Sequence, residues 1–280
     1  MSRPEHICPP EYFYNEKEAA KYHSSSRMVK IQEELSNRAI ELLNLDQDKE
    51  YFLLDVGCGS GLSGEALTNA GHAWVGVDIS ESMLEIAVER DSSGDVLHQD
   101  MGDGLPFRPG VFDGCISISA VQWLCYSDRK EHTARKRLCT FFTSLYTCLK
   151  QGSRAVLQLY PESPDQMELI SSCAMKCGFS GGLVVDYPNS TKAKKYFLCL
   201  FAGMERKPNL PKGLGANGGS TEVGYAARET QGKPVRRRKT NRVAIKSKDW
   251  VTAKKERQRK QGKEIKRDSK FTGRRRPTPF

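Results

Sequence analysis

The segment Asp55-Val56-Gly57-Cys58-Gly59-Ser60-Gly61 has three alternate glycines, a spacing suited to holding a ligand against bare backbone. Glycine adopts positive φ freely and lets a bound group approach main-chain N–H groups closely. One chemistry that uses such a loop is dinucleotide binding. Gly59, Gly61 and Gly64 then form the Gly-x-Gly-x-x-Gly fingerprint, with Asp78 as the ribose partner. That alignment starts late, sets Gly64 inside the following helix and gives Asp55 and Gly57 no task. A second chemistry begins at Asp55 and uses every glycine to Gly61. By itself the loop leaves the two balanced.

The elements around the loop determine what it faces. Tyr51-Phe52-Leu53-Leu54-Asp55-Val56 is a short apolar run that reads as a buried parallel strand. Upstream, Met28, Ile31, Leu35, Ala39 and Leu42 recur at helical spacing, which predicts one helix over residues 16–45. Downstream, helices near 62–70, 81–89, 133–149 and 165–177 alternate with strands near 73–77, 96, 114–119 and 154–160. Gly152 is the expected stop of the third of these helices. Strands near 183–187 and 196–201 close the pattern, the last one antiparallel. Such alternation predicts an α/β fold: a mostly parallel seven-stranded sheet with helices on both faces. In an open sheet of this kind the first strand–helix turn faces the ligand crevice.

Charge divides the chain sharply. The net charge is +10, yet residues 205–280 hold 24 Lys+Arg against 7 Asp+Glu, a net of +17, which leaves −7 for the remainder. A mildly acidic body is therefore joined to a strongly basic tail, the pattern of a chain with a polyanionic partner. We expect residues 1–204 to form the folded domain, 205–234 a flexible Gly/Pro-rich linker and 235–280 a basic extension, disordered alone and suited to a nucleic-acid partner. The nine cysteines contain no Cys-x-x-Cys pair, and Cys173 and Cys177 lack the partners of a metal site. No signal peptide or membrane span is evident, so an intracellular, soluble protein is expected.

Four features in order settle the loop chemistry. Asp55 to Gly61 resembles, without a gap, the Asp-x-Gly-x-Gly-x-Gly motif of class I (Rossmann-like) S-adenosylmethionine-dependent methyltransferases. Asp78 ends the second strand in Val77-Asp78-Ile79-Ser80, where that family places the acceptor of both ribose hydroxyls. Asp100-Met101 follows the third strand, where it pairs the adenine amino group and packs the ring. Leu105-Pro106-Phe107 and Phe112-Asp113 then lead into the fourth strand. The resemblance implies S-adenosylmethionine as cofactor, held by Asp55, Gly57, Cys58, Gly59, Gly61, Asp78, Ile79, Asp100, Met101 and Ser117.

The acceptor is approached by exclusion. The fourth strand runs into Ser117-Ile118-Ser119-Ala120-Val121-Gln122-Trp123-Leu124 and carries no Asn-Pro-Pro-Tyr of the exocyclic-amine methyltransferases. No Pro-Cys nucleophile of pyrimidine carbon-5 enzymes is present either. Guanine N7 offers an in-plane lone pair, so alignment can replace a general base, and no catalytic base is assigned. The segments Phe112–Cys125, Gly152–Pro161, Gly178–Gly182 and Val185–Ser190, with Trp250 and Lys254–Arg257 in the tail, resemble the eukaryotic 18S rRNA guanine-N7 methyltransferase family encoded in the Williams–Beuren region. That resemblance covers nearly the whole chain. It implies methylation of one guanosine of 18S rRNA in the pre-40S particle and a small zinc-binding activator subunit on the edge strand near Val96. It also implies residence in nucleolus and nucleoplasm, extending to the cytoplasm. The alternatives are a small-molecule or protein methyltransferase with a nuclear-targeting tail, and an assembly factor whose methylation is secondary.

Substrate contacts are assigned to Trp123, as a wall of the guanine pocket, and to Lys192, Lys195, Arg236 and Arg237 on the RNA path. A core role is the competing reading for Trp123, and a plain exposed hairpin for the lysines. Tyr12, Phe13, Tyr14 and Tyr22 read as aromatics packed on the domain, with a cover over the cofactor as the alternative. Arg27 is equally a partner for the methionine carboxylate and a solvated helix residue.

Overall fold

The computed structural model describes residues 3–90, 93–126, 133–203, 210–215, 223–224, 248, 251–252, 254–255, 259 and 266–268. It divides into two units, Met1–Ala227 and Arg228–Phe280. The first is built on strands β1 (Phe52–Val56), β2 (Ala73–Asp78), β3 (Asp95–His98), β4 (Phe112–Ile118), β5 (Leu149–Leu159), β6 (Ser180–Asp186), β7 (Lys195–Phe201) and β8 (Val223–Gly224). They form one sheet in the order β3-β2-β1-β4-β5-β7-β6-β8. The first five are mutually parallel, and β7 runs antiparallel between β5 and β6. The expected seven strands are present, and the two-residue β8 adds an eighth at the β6 edge.

The helices are α1 (Pro10–Phe13), α2 (Glu16–Ser24), α3 (Ser26–Leu43), α4 (Leu62–Asn69), α5 (Glu81–Glu89), α6 (Ala134–Cys148) and α7 (Pro164–Lys176). Strand alternation sends neighbouring residues to opposite faces of the sheet. Leu53, Ile116 and Val156 meet Leu35, Ala39 and Leu42 of α3 and Leu67 of α4 on one side. Leu54, Cys115 and Leu157 meet Phe141, Phe142 and Leu145 of α6 and Ile170 of α7 on the other. Phe141 and Phe142 are fully buried, and truncating either to alanine should cost about 3–5 kcal/mol.

The single helix expected over 16–45 is two. Ser25 has extended backbone (φ −79°, ψ 99°), and its hydroxyl accepts from Met28 N–H, so it ends α2 and caps α3. Asn44, left-handed at φ 52°, ends α3. Gly152 does not stop α6, which ends at Cys148; it lies inside β5 at φ +85°. There the register with β4 jumps from Phe112↔Leu149 to Gly114↔Arg154, so the glycine serves a bulge. Part of the expected linker is held to the domain. Leu214 N–H donates to Asp186 Oδ1 at 2.8 Å, the Arg38 guanidinium donates to Lys212 O at 3.0 Å, and Tyr187 N–H donates to Leu214 O.

In the second unit, Lys255 Nζ donates to Asp268 Oδ1 at 2.8 Å and to Lys266 O, and Arg259 also pairs with Asp268. Among the described residues no helix is long and apolar enough to cross a membrane.

Candidate active site

The strand order reverses between β1 and β4, and a crevice opens outside their carboxyl ends. The β1–α4 loop forms its floor. Gly57 and Cys58 donate their N–H groups to Val77 O at 2.8 and 3.1 Å, which ties the loop to β2. Gly57 (φ +75°) could carry no side chain, because a Cβ there would lie 2.2 Å from Ala120 Cβ. Gly59 and Gly61 also have positive φ. The cleft above opens to solvent and is lined by the glycine loop, Asp78, Asp100, Met101 and Trp123.

Asp78, at the end of β2, anchors the loop from the side. Its Oδ2 accepts Gly59 N–H and its Oδ1 accepts Ser80 N–H, both at 2.9 Å. The Ile79 backbone N–H also engages the carboxylate, so of about four acceptor positions one is left for a ribose hydroxyl. Burial raises the Asp78 carboxyl above its usual range, and the bonds from Ser80 and Gly59 oppose that shift. Ser80 caps α5 and also donates its hydroxyl to Tyr14 O at 2.8 Å, which closes the N-terminal segment over the cleft.

Asp100 lines the cleft beside Ile79 and Met101. Its carboxylate accepts Gly102 N–H at 2.7 Å and Arg137 Nη2 at 2.7 Å to both oxygens. Of about four acceptor positions, these contacts leave one for an adenine amino group. Arg137 is a buried cation of α6 that the sequence did not single out. It sits among Arg135, Lys136 and Arg137, and nothing in that run marks which one turns inward.

Asp55 and Ser117 do not line the cleft. Both are fully buried below it, because alternation turns Asp55 toward α4 and Ser117 toward the face of Cys115. Ser63 Oγ donates to Asp55 Oδ2 at 2.5 Å, so Asp55 anchors the first turn of α4 beneath the loop. Burial pushes its carboxyl up to about 7; the Ser63 hydroxyl works against the shift and the charge of Asp78 adds to it. Cys58 lines the cleft while its thiol packs toward Gly76, and burial raises that thiol well above its ordinary range, so it stays protonated and unreactive.

The opposite wall is aromatic. Trp123, 6% exposed, lines the cleft and packs against Phe13 and Tyr14 at centroid distances of 6.1 and 6.0 Å. Tyr14 and Tyr22 also line the cleft, so these two cover the ligand space rather than only packing on the domain. Tyr12 is 67% exposed. Burial lifts both cleft phenols above their ordinary range, with Asp78 adding to each. Arg27 is exposed and absent from the lining.

Lys192 is exposed on the turn before β7. Lys195 opens β7, whose first residues lie at the sheet edge where β4 and β5 end. It donates to Tyr160 Oη at 3.0 Å with its ammonium 5.0 Å above that ring. Neither lysine lines the cleft. Arg236 and Arg237 lie outside the described residues.

The residues present fit S-adenosylmethionine. The loop leaves room only for bare backbone, Asp78 lines the cleft, and Ser60, 2% exposed, lines it with a buried hydroxyl that has no partner among the described residues.

Residues 54–157 match the family described as a methyltransferase domain, and residues 200–278 match the one described as a methyltransferase involved in Williams-Beuren syndrome. The chain is 51% identical to the 18S rRNA (guanine-N(7))-methyltransferase of Mus musculus, over 99% of this chain and 98% of that protein. It is 52% identical to an 18S rRNA (guanine-N(7))-methyltransferase of Arabidopsis thaliana, over 100% and 99%. It is 46% identical to the 18S rRNA (guanine(1575)-N(7))-methyltransferase of Saccharomyces cerevisiae over the full length of both. Among solved structures, magnesium protoporphyrin IX methyltransferase from Synechocystis with bound SAM superposes with a TM-score of 0.53 at 16% identity, over 72% of this chain and 99% of that one. A putative S-adenosylmethionine-dependent methyltransferase from Methanococcus maripaludis gives 0.50 at 14%, over 69% and 95%. These two share the fold.

Proposed function

Since the chain belongs to the 18S rRNA (guanine-N7)-methyltransferase family, we propose that it transfers the methyl group of S-adenosylmethionine to N7 of one guanosine of 18S rRNA during small-subunit assembly. The observation that carries this reading is likeness over the whole chain, tail included, to proteins named for that reaction. The cofactor supplies a methyl group already activated on a sulfonium. The glycine loop and Ser60 would hold its methionine end, Asp78 a ribose hydroxyl, and Ile79, Met101 and Asp100 its adenine.

The chemistry asks for no proton removal, since N7 already presents a lone pair. The titratable groups on the cleft wall agree with that demand. Tyr14 and Tyr22 hold their protons, Asp100 is engaged by Arg137, and Asp78 is bonded to backbone. What remains for the protein is alignment and exclusion of water. An unstacked guanine suits the wall of Trp123, Tyr14 and Tyr22, because bases taken out of a stack are held between aromatic side chains.

Lys192, Lys195, Arg236 and Arg237 supply phosphate contacts in this reading, and the net +17 of residues 205–280 gives salt-sensitive affinity for RNA. The partners are 18S rRNA within the pre-40S particle and a small zinc-binding activator subunit. The activator seat is β3, the sheet edge opposite β8, where Leu97 is 37% exposed and Val88 of the adjoining α5 is 65% exposed. Site of action is the nucleus. Borohydride/aniline cleavage maps N7-methylguanosine in rRNA. A cleavage product that appears only with the active protein supports the proposal, and an unchanged map overturns it.

A further inference from the structure

Three amide-bearing or hydroxyl side chains behind the acceptor wall have no task in the scheme above. Ser119 follows β4 with φ +57°, a left-handed backbone that serine rarely adopts. It is held there from three directions. Its N–H donates to Gln158 O at 3.1 Å. Its hydroxyl donates to Gln158 Oε1 at 2.6 Å. Its carbonyl accepts Gln122 Nε2 at 2.8 Å, and that same nitrogen reaches Glu5 Oε1 at 3.3 Å. Gln158 is wholly buried in β5 and fixes its own amide by donating Nε2 to Leu159 O at 3.2 Å. A polar side chain inside Ala155-Val156-Leu157-Gln158-Leu159 is unusual in a strand covered on both faces.

The turn at Ser119 has two consequences in the cleft. It sets Ala120 against Gly57 of the glycine loop, where a Cβ on the glycine would meet Ala120 Cβ. It also launches the 3-10 turn Val121–Cys125 that carries Trp123, whose N–H donates to Ala120 O at 3.0 Å. A shift in the Ser119 backbone therefore moves the aromatic wall relative to the loop.

We propose that Gln158 is a positioning residue: its side-chain amide clamps Ser119 in the left-handed conformation and so fixes the distance between the acceptor wall and the methyl-donor loop. This rests on the methyl-transfer reading. It follows that the clamp acts on turnover, because a reaction without a general base depends on alignment, and a misplacement of about 1 Å can cost 100-fold.

The test compares Gln158→Leu, Ser119→Ala, Ser119→Gly and the double variant Gln158→Leu/Ser119→Gly in the full chain. The readouts are S-adenosylmethionine affinity by calorimetry, kcat and KM on an 18S rRNA fragment, and the Trp123 indole resonance by NMR. Gln158→Leu should lower kcat by roughly 10- to 100-fold, leave cofactor affinity within about twofold and move the Trp123 resonance. Ser119→Ala should lose as much. Ser119→Gly should lose less, because glycine adopts the positive φ unaided. Adding Gln158→Leu to it should then cost less than about threefold and leave the Trp123 resonance where Ser119→Gly has it. Equal losses from Gln158→Leu in both backgrounds, or an unmoved Trp123 resonance in Gln158→Leu, overturn the clamp. Absence of N7 methylation by the unaltered chain instead overturns the rRNA reading, and the resonance still decides the clamp.

Discussion

The two walls of the cleft achieve their geometry by different means. The β1–β3 side uses glycines and carboxylates: a bare loop at Gly57–Gly61, with Asp55 beneath it, Asp78 beside it and Asp100 at the third strand end. The β4–β5 side uses neutral groups: the Trp123 ring, against which Tyr14 of the N-terminal segment packs, and a left-handed Ser119 held by two glutamines. One side must satisfy fixed polar groups of a cofactor. The other must hold an acceptor that already carries its reactive electron pair. Substitutions on the first should therefore act on cofactor binding, and substitutions on the second on turnover.

The largest effect is expected from Gly57→Glu. Its Cβ would meet Ala120 at 2.2 Å in a backbone that already disfavours side chains, and calorimetry should find no S-adenosylmethionine binding. Asp78→Ala should weaken cofactor affinity by roughly 100-fold, since it removes the anchor of Gly59 and, on the proposed reading, the ribose acceptor with it. Normal affinity in either variant would break the division between the walls.

Asp55 sharpens the division, because it stands on the cofactor side without touching the cleft. Its folded carboxyl titrates at about 7, against an unfolded value of about 3.9. The folded chain thus holds the extra proton between those values. Stability falls as pH rises from about 4 to about 7, and the full cost persists above that. Asp55→Asn keeps an oxygen for Ser63 without the charge. Its denaturation should lose this slope and give a variant about 2–4 kcal/mol more stable than the parent at pH 8. Equal slopes in parent and variant would show that Asp55 is not the titrating group.

On the acceptor side, Trp123→Phe should lower kcat/KM on rRNA by about tenfold, with cofactor affinity within about threefold. The smallest expected effect belongs to Lys192→Ala. Steady-state assays at several salt concentrations should show KM for RNA rising by about twofold and the salt dependence falling by about one phosphate contact. A change in cofactor affinity in either variant would blur the two walls into one.

The cofactor wall was legible because its chemistry is written in consecutive residues and at strand ends. Asp55 to Gly61, Asp78 and Asp100 mark themselves by type and position. Their roles were less legible than their identities. Asp55 and Ser117 carry the expected residue types, yet alternation along β1 and β4 turns them away from the cleft. The break at Ser25 falls in the polar run His23–Arg27, before the apolar spacing that begins at Met28, and that spacing carries no information about where the helix starts.

The acceptor wall is assembled from distant segments, and no local pattern announces that. Gln158 is separated from Ser119 by 39 positions, and on the cofactor wall Arg137 is separated from Asp100 by 37. The one readable signal was a glutamine inside an apolar strand. Sequence by itself determined the fold class, the cofactor loop and the charge asymmetry, because periodicity, glycine spacing and composition are local properties. Tertiary structure alone decided which carboxylates line the cleft, which cation of α6 turns inward and how Ser119 is held. Those outcomes depend on which strands become neighbours and which face of each is turned to the cleft.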